Sequence, residues 1–146
     1  MKIKVAWIGK TKEPAIQALS DEYLNRLSRY AEVAGLAVKD EAAVLSMANG
    51  ARNREWQKLI LLDSRGRQLS SEELAEFLER EQITSIPLMF AVGGSDGFTD
   101  AARRQAAFTL SLGKMTLPHE LARVVLLEQL YRALTILHRH PYHLGH

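Results

Sequence analysis

The chain contains no cysteine. That excludes a disulfide framework, a thiolate metal site and a thiol nucleophile. Proline is scarce, at 4 in 146 residues, and no repeat, low-complexity segment or interdomain linker interrupts the sequence. No apolar run reaches the roughly 20 residues that span a bilayer. Neither sign of charge dominates: 19 Lys+Arg stand against 17 Asp+Glu, a net of +2, so charge alone does not establish nucleic-acid binding. Several familiar motifs are also missing. There is no G-x-S-x-G elbow for a serine nucleophile and no H-E-x-x-H zinc motif. The paired carboxylates at 72–73 and 79–81 belong to a solvated helix face, which leaves a glycosidase reading without support.

What is present is ordinary for a globular protein: 47% hydrophobic and 25% charged residues. At this length a single domain, 1–146, is expected, with enough chain to bury a core unaided. The start, Met1-Lys2-Ile3-Lys4-Val5-Ala6-Trp7-Ile8-Gly9, alternates as a strand does and lacks a signal-peptide cleavage site, so a cytoplasmic protein is expected.

The pattern alternates between strand and helix. Residues 2–9 read as a strand and 13–30 as a helix, with Ile16, Leu19, Tyr23, Leu27 and Tyr30 three or four apart. A short strand over 33–39 precedes a weaker helical stretch over 41–56, interrupted at Asn49-Gly50. Leu59-Ile60-Leu61-Leu62-Asp63 is a continuous apolar run, the mark of a strand buried on both faces. A turn at 64–67 leads to a helix over 72–81 capped by Ser70 or Ser71. Residues 87–92 read as the next buried strand, 100–111 as a helix capped by Thr99 or Ser95, 115–117 as a brief last strand and 119–138 as the final helix. Helices between buried strands imply an α/β fold, a mostly parallel sheet with helices on both faces.

Such sheets bind ligands at the carboxyl ends of their strands. Three ends stand out: Leu62-Asp63, Val92-Gly93-Gly94 and Met115-Thr116-Leu117-Pro118. Gly93-Gly94-x-x-Gly97 is not the dinucleotide fingerprint, and taken alone it is as compatible with a structural turn as with a ligand loop. His119 opens a helix, where partial burial or capping accounts for it equally well. The local pairs Arg52/Arg54, Arg65/Arg67 and Arg103/Arg104 read first as solvated surface charge. Four of the five histidines fall in the last nine residues, but their irregular spacing around Pro141 and the lack of a carboxylate argue against a metal; none is expected. The final helix is apolar on more than one face, from Leu121 through Leu137. The additional face calls for a partner, and a homodimer is the expectation. Glu128 and Arg132, four apart, form a helix pair or orient the tail.

Together these residues are specific. V-G-G-S-D-G at 92–97, S-L-G-K-M-T-L-P-H at 111–119, R-V-V-L-L-E-Q-L-Y-R-A at 123–133 and H-P-Y-H at 140–143 resemble the RlmH family, the 23S rRNA pseudouridine N3-methyltransferases of the SPOUT class. The N-terminal K-I-K-V-A-W-I-G-K and the strand L-I-L-L-D fit as well, so the likeness covers essentially the whole chain. It implies an α/β domain with a C-terminal trefoil knot, a homodimer, and an S-adenosylmethionine pocket built from knot loops. Cofactor contacts then fall at Leu62, Gly93, Leu112, Gly113, Lys114, Met115, Thr116 and Leu117. The implied substrate is a pseudouridine of 23S rRNA in the assembled 70S ribosome. Tyr142 and His143 would place the base, His143 would accept the N3 proton, and Arg132 would bind phosphate or orient the tail. The stretch over 40–57 is shorter than in many family members and lacks their lysine-rich segment. Competing readings are a knotted methyltransferase acting on tRNA or on ribose, and a ribosome-binding assembly factor without chemistry.

Overall fold

A computed structural model describes residues 1–50 and 55–144, the side chain of His143 excepted. The elements alternate: β1 (Lys2–Ile8), α1 (Pro14–Leu27), β2 (Glu32–Val38), α2 (Glu41–Ala48), β3 (Lys58–Gln68), α3 (Ser71–Thr84), β4 (Leu88–Val92), α4 (Asp100–Gln105), β5 (Phe108–Ser111) and α5 (His119–Leu137), followed by a 3-10 turn at Pro141–His143. The five strands form one sheet in the order β2-β1-β4-β3-β5, and every pairing is parallel. The expected α/β architecture is therefore present.

Strand alternation divides the core in two. Val5 and Trp7 of β1 point into a layer shared with α1, α3 and α5, whereas Ala6 points into one shared with α2 and α4. β4 is buried at all five positions, as its central place requires. Local chemistry sets the helix starts. Ser70 and Glu73 exchange side-chain and backbone bonds in a capping box before α3, Asp40 caps α2, and Thr99, rather than Ser95, caps α4.

Four sequence expectations change. The helix expected over 100–111 stops at Gln105, and Phe108–Ser111 joins the sheet as β5 against β3. Its alternating, β-compatible residues gain a ladder and a buried Leu110 that a further helical turn would forfeit. The 115–117 strand does not form: Met115 is 83% exposed and the segment has no ladder partner. The turn expected at 64–67 is instead a continuation of β3, with a register shift between Leu62 and Arg67. Gly66 permits this crossing, since a Cβ there would lie 2.7 Å from the Thr109 backbone. Finally, α2 ends at Ala48, and Gly50 takes a left-handed φ of 78°; the rest of the expected 41–56 helix falls partly at 51–54, outside the described residues, as do Arg52 and Arg54.

The apolar surplus of α5 also finds its physical reason here. Leu126, Leu127 and Leu130 are fully buried and Leu134 nearly so, because α1 and α3 flank the helix and the sheet lies beneath it. Each such leucine contributes about 1.5–3 kcal/mol. Cover within the chain accounts for these leucines, while Leu121 at the start of the helix stays 43% exposed. No helix of the described residues is long and apolar enough to cross a membrane.

Candidate active site

The register shift within β3, the carboxyl end of β4 and the loop after β5 open into one cavity of about 660 Å³. Three chain segments wall it: Leu62–Arg65, Val92–Phe98 and the run Leu112, Gly113, Met115–His119. Arg103 of α4 and Ala122 of α5 complete it. The volume is that of a small-molecule site. Of the cofactor positions expected from sequence, Leu62, Gly93, Leu112, Gly113, Met115, Thr116 and Leu117 all line this space; Lys114 is exposed and does not.

Backbone conformation keeps the loops open. The left-handed glycines are Gly97 (φ 71°) and Gly113 (φ 144°), not Gly93 or Gly94, and a Cβ at either would meet no atom within 4 Å. Main-chain groups there remain accessible to a ligand. Ser111 ties the loop down: its Oγ accepts from the Gly113 amide at 3.1 Å and lies 2.8 Å from the Gly113 carbonyl oxygen.

The polar rim was only partly visible in sequence. Asp63 accepts from the Arg65 amide and from Arg103 Nη1, each at 2.8 Å. Burial works against the Asp63 carboxylate, but these two donors outweigh it and hold its pKa below the usual value. Arg103 also donates to the Phe98 carbonyl at 2.7 Å and pairs with Asp100, so α4 locks the 92–98 loop against β3. Nothing local in the sequence announces that Arg103 meets a carboxylate forty positions earlier; it read as surface charge.

The loop after β1 is fastened to the start of α5. Glu120 Oε1 accepts from the Lys12 amide at 2.9 Å, and Arg123 donates to Thr11 Oγ1 at 2.7 Å. The Arg123 side chain is 1% exposed, lies 4.1 Å over the Trp7 ring and leaves its Nε without a partner. Burial lowers its pKa, although a guanidinium stays charged.

The expected catalytic residues lie elsewhere. Arg132 is near the other end of α5, roughly 20 Å along the axis from His119 at 1.5 Å per residue. Its Nε donates to Glu128 Oε1 at 3.0 Å, and its guanidinium sits 5.1 Å over the Tyr142 ring. The Glu128 bond keeps Arg132 firmly cationic. Tyr142 is pushed up to about 12, first by burial and then by its hydrogen bond with Tyr23, so it is a neutral phenol. The His143 side chain lies outside what is described. Neither Arg132 nor Tyr142 lines the cavity of its own chain.

Comparison with known proteins accounts for this architecture. The family described as "Predicted SPOUT methyltransferase" matches residues 1–143. A protein named ribosomal RNA large subunit methyltransferase H from Koribacter versatilis is 54% identical over 147 aligned positions, covering 100% of both chains. This chain belongs to that methyltransferase family. A second relative with the same name, from Geobacter sulfurreducens, is 43% identical over 98% of this chain and 99% of its own. The SpoU methyltransferase AviRb from Streptomyces viridochromogenes, crystallised in complex with AdoMet, shares the fold at a TM-score of 0.54 and 13% identity; 90% of this chain is covered, and it spans 57% of AviRb. The SPOUT assignment fits a parallel sheet with a wide cavity beside the carboxyl ends of β4 and β5.

Proposed function

We propose that this protein is an S-adenosylmethionine-dependent methyltransferase that modifies N3 of a pseudouridine in 23S rRNA on the assembled ribosome, in the cytoplasm. The observation that carries the reading is the cavity itself: apolar walls from Leu62 and Leu117 beside main chain left bare at Gly97 and Gly113. That lining suits a nucleoside with an apolar ring face and a polar edge. Leu62, Gly93, Leu112, Gly113, Met115, Thr116 and Leu117 would hold it, with Lys114 at the margin. The names of the full-length relatives point to ribosomal RNA as substrate.

When bound, the cofactor would supply an electrophilic methyl group on a sulfonium sulfur, and the N3 proton of the base must leave as that methyl is taken up. This chain's part is alignment and proton handling. Tyr142 and His143 place the base, His143 accepts the proton, and Arg132 offers a fixed cation to phosphate. Because Arg132 lies roughly 20 Å along α5 from His119 at the cavity, and Tyr142 packs under the Arg132 guanidinium, the reading requires a second copy that brings its α5 end to this cavity. Exposed Met115, Leu121 and Leu19 supply apolar surface for a homodimer. A C-terminal trefoil knot, in which the chain threads a loop, belongs to the same reading.

Ribosomes lacking the modification provide the test. Incubation of 70S particles with radiolabelled cofactor should label 23S rRNA, and mass spectrometry of the labelled fragment should place the methyl on N3 of a pseudouridine. Labelling of tRNA instead, or ribosome binding without labelling, overturns the assignment. A strictly monomeric active enzyme overturns the shared site.

A further inference from the structure

We propose that the loop after β1 is a phosphate-gripping rim beside the cavity. Lys10 and Lys12, with Lys39 from the end of β2, bind the RNA backbone next to the target base. The buried Arg123 is the positioning residue that holds this loop in place. The inference rests on the reading above that RNA is the substrate.

The loop adjoins the cavity by the register of the sheet. Trp7 pairs with Val92, so β1 and β4 end side by side. A Cβ on Gly94, which lines the cavity, would lie 3.7 Å from Ile8. The first turn of α5 faces both ways: His119 and Ala122 line the cavity, while Glu120 and Arg123, also three apart, grip the loop.

That grip is unusually heavy for a connection. Glu120 Oε1 accepts from the amides of Lys12 and Glu13 at 2.9 and 3.4 Å. Arg123 donates to Thr11 Oγ1 at 2.7 Å and lies over the Trp7 ring. Its guanidinium is almost wholly buried, with Nε unpartnered, and such an orphaned donor costs stability. A link whose task was only to join β1 to α1 would gain more from an apolar side chain at 123.

What the latch holds still is positive charge. Lys10, Lys12 and Lys39 are exposed, and none of them forms an ion pair among the described residues. The Gly9 amide bonds to the Val38 carbonyl at 3.0 Å, which sets the two lysine-bearing ends together. Neighbouring carboxylates are engaged with backbone amides: Asp40 with Ala43, Glu41 with Thr99 and Glu120 with Lys12. Glu13 is the exception. Unpaired lysines at fixed positions suit a phosphate chain, which binds them by releasing its counterions. In sequence these residues are lost in a near-balanced net charge of +2.

The test reads the affinity of the full-length protein for 70S ribosomes across a salt series. Replacing both loop lysines, Lys10→Ala with Lys12→Ala, should weaken binding about tenfold near 0.1 M salt. It should also reduce the slope of log affinity against log salt by about 1.5, with cofactor Kd unchanged. An unaltered slope, or a matching loss of cofactor affinity, would overturn the rim. Because the chain has no cysteine, Lys12→Cys carries a photocrosslinker at one site; it should attach to RNA. Attachment to a ribosomal protein would overturn the choice of partner.

Arg123 is too deeply buried to replace safely, so its role is read through Thr11→Val, which removes its acceptor and keeps both lysines. The KM for 70S ribosomes should rise about threefold, with less change in kcat, because the loop must now be ordered on binding. The salt slope should stay as in wild type, amide exchange at Lys10 and Lys12 should quicken, and Thr11→Ser should restore both KM and exchange. Wild-type KM and exchange in Thr11→Val would overturn the positioning role. Ribosome binding without methyl transfer would sink the reaction alone, and the salt slope and crosslink would still decide the rim. A wild-type protein that binds no ribosome would overturn both.

Discussion

The two ends of α5 are built on opposite principles. At the N-terminal end the cavity is made by main chain: the register shift within β3, the loops after β4 and β5, left-handed glycines, and a helix start preceded by Pro118. At the C-terminal end the structure is made by side chains: Tyr131, Tyr142 and Arg132 interlock with Tyr23 and Arg26 of α1. The first arrangement accepts a small molecule because little projects into it. The second fixes a short tail because much projects onto it. One helix carries both, so a chain with a rigid α5 holds its ligand loops and its tail at a constant spacing.

The strongest way to break the distinction is to damage what the ends share. Leu126→Ala removes a fully buried side chain and should cost about 2–5 kcal/mol, read by urea denaturation. Cofactor affinity and tail protection should then decline together as temperature rises. Separate melting of the two ends would show that α5 does not couple them.

Next in size is Gly113→Val, which puts a β-branched residue at φ 144°. It should lower stability by about 1–3 kcal/mol and weaken cofactor binding by more than tenfold, while amide exchange of the tail stays as in wild type. Equal damage at both ends would refute their independence.

At the tail, Arg139→Gly relieves the left-handed strain at φ 58° and should raise stability by about 1 kcal/mol, seen as a higher Tm with unchanged cofactor affinity. A lower Tm would mean that the Arg139 side chain outweighs its backbone cost.

The smallest expected effect is a pH dependence confined to the cavity rim. The Asp63 pKa is held low by the Arg65 amide and Arg103, against burial. A depressed carboxylate stabilises the fold fully above its ordinary pKa of about 3.9, and that contribution is lost as pH falls through the folded value. Asp63→Asn should therefore flatten the acid limb of a stability profile without shifting tail exchange. An unaltered limb would remove Asp63 from the rim's electrostatics.

Legibility followed the same divide. Leu59–Leu62 and Leu88–Val92 announced buried parallel strands because burial on both faces demands unbroken apolar runs. Ser70 with Glu73 announced α3 because a cap is a local bond. Glycine and proline punctuation marked the cavity loops for the same local reason. Beside these, Phe108–Ser111 misled, since its strand state depends on a partner forty-odd residues away and its composition suits a helix nearly as well. The β3 extension through 64–67 misled likewise, because a turn-like Ser-Arg-Gly-Arg became ladder only by lying across β5.

By itself the sequence determined the α/β alternation, the caps, the strand-end loops and the family, since each is written in neighbouring residues or in motifs of fixed spacing. Tertiary structure alone decided that Arg103 reaches Asp63, that α1 and α3 cover the leucines in the middle of α5, and that Tyr23 lies against Tyr131. Those pairings join positions remote along the chain, and only the packing of whole elements brings their side chains into contact.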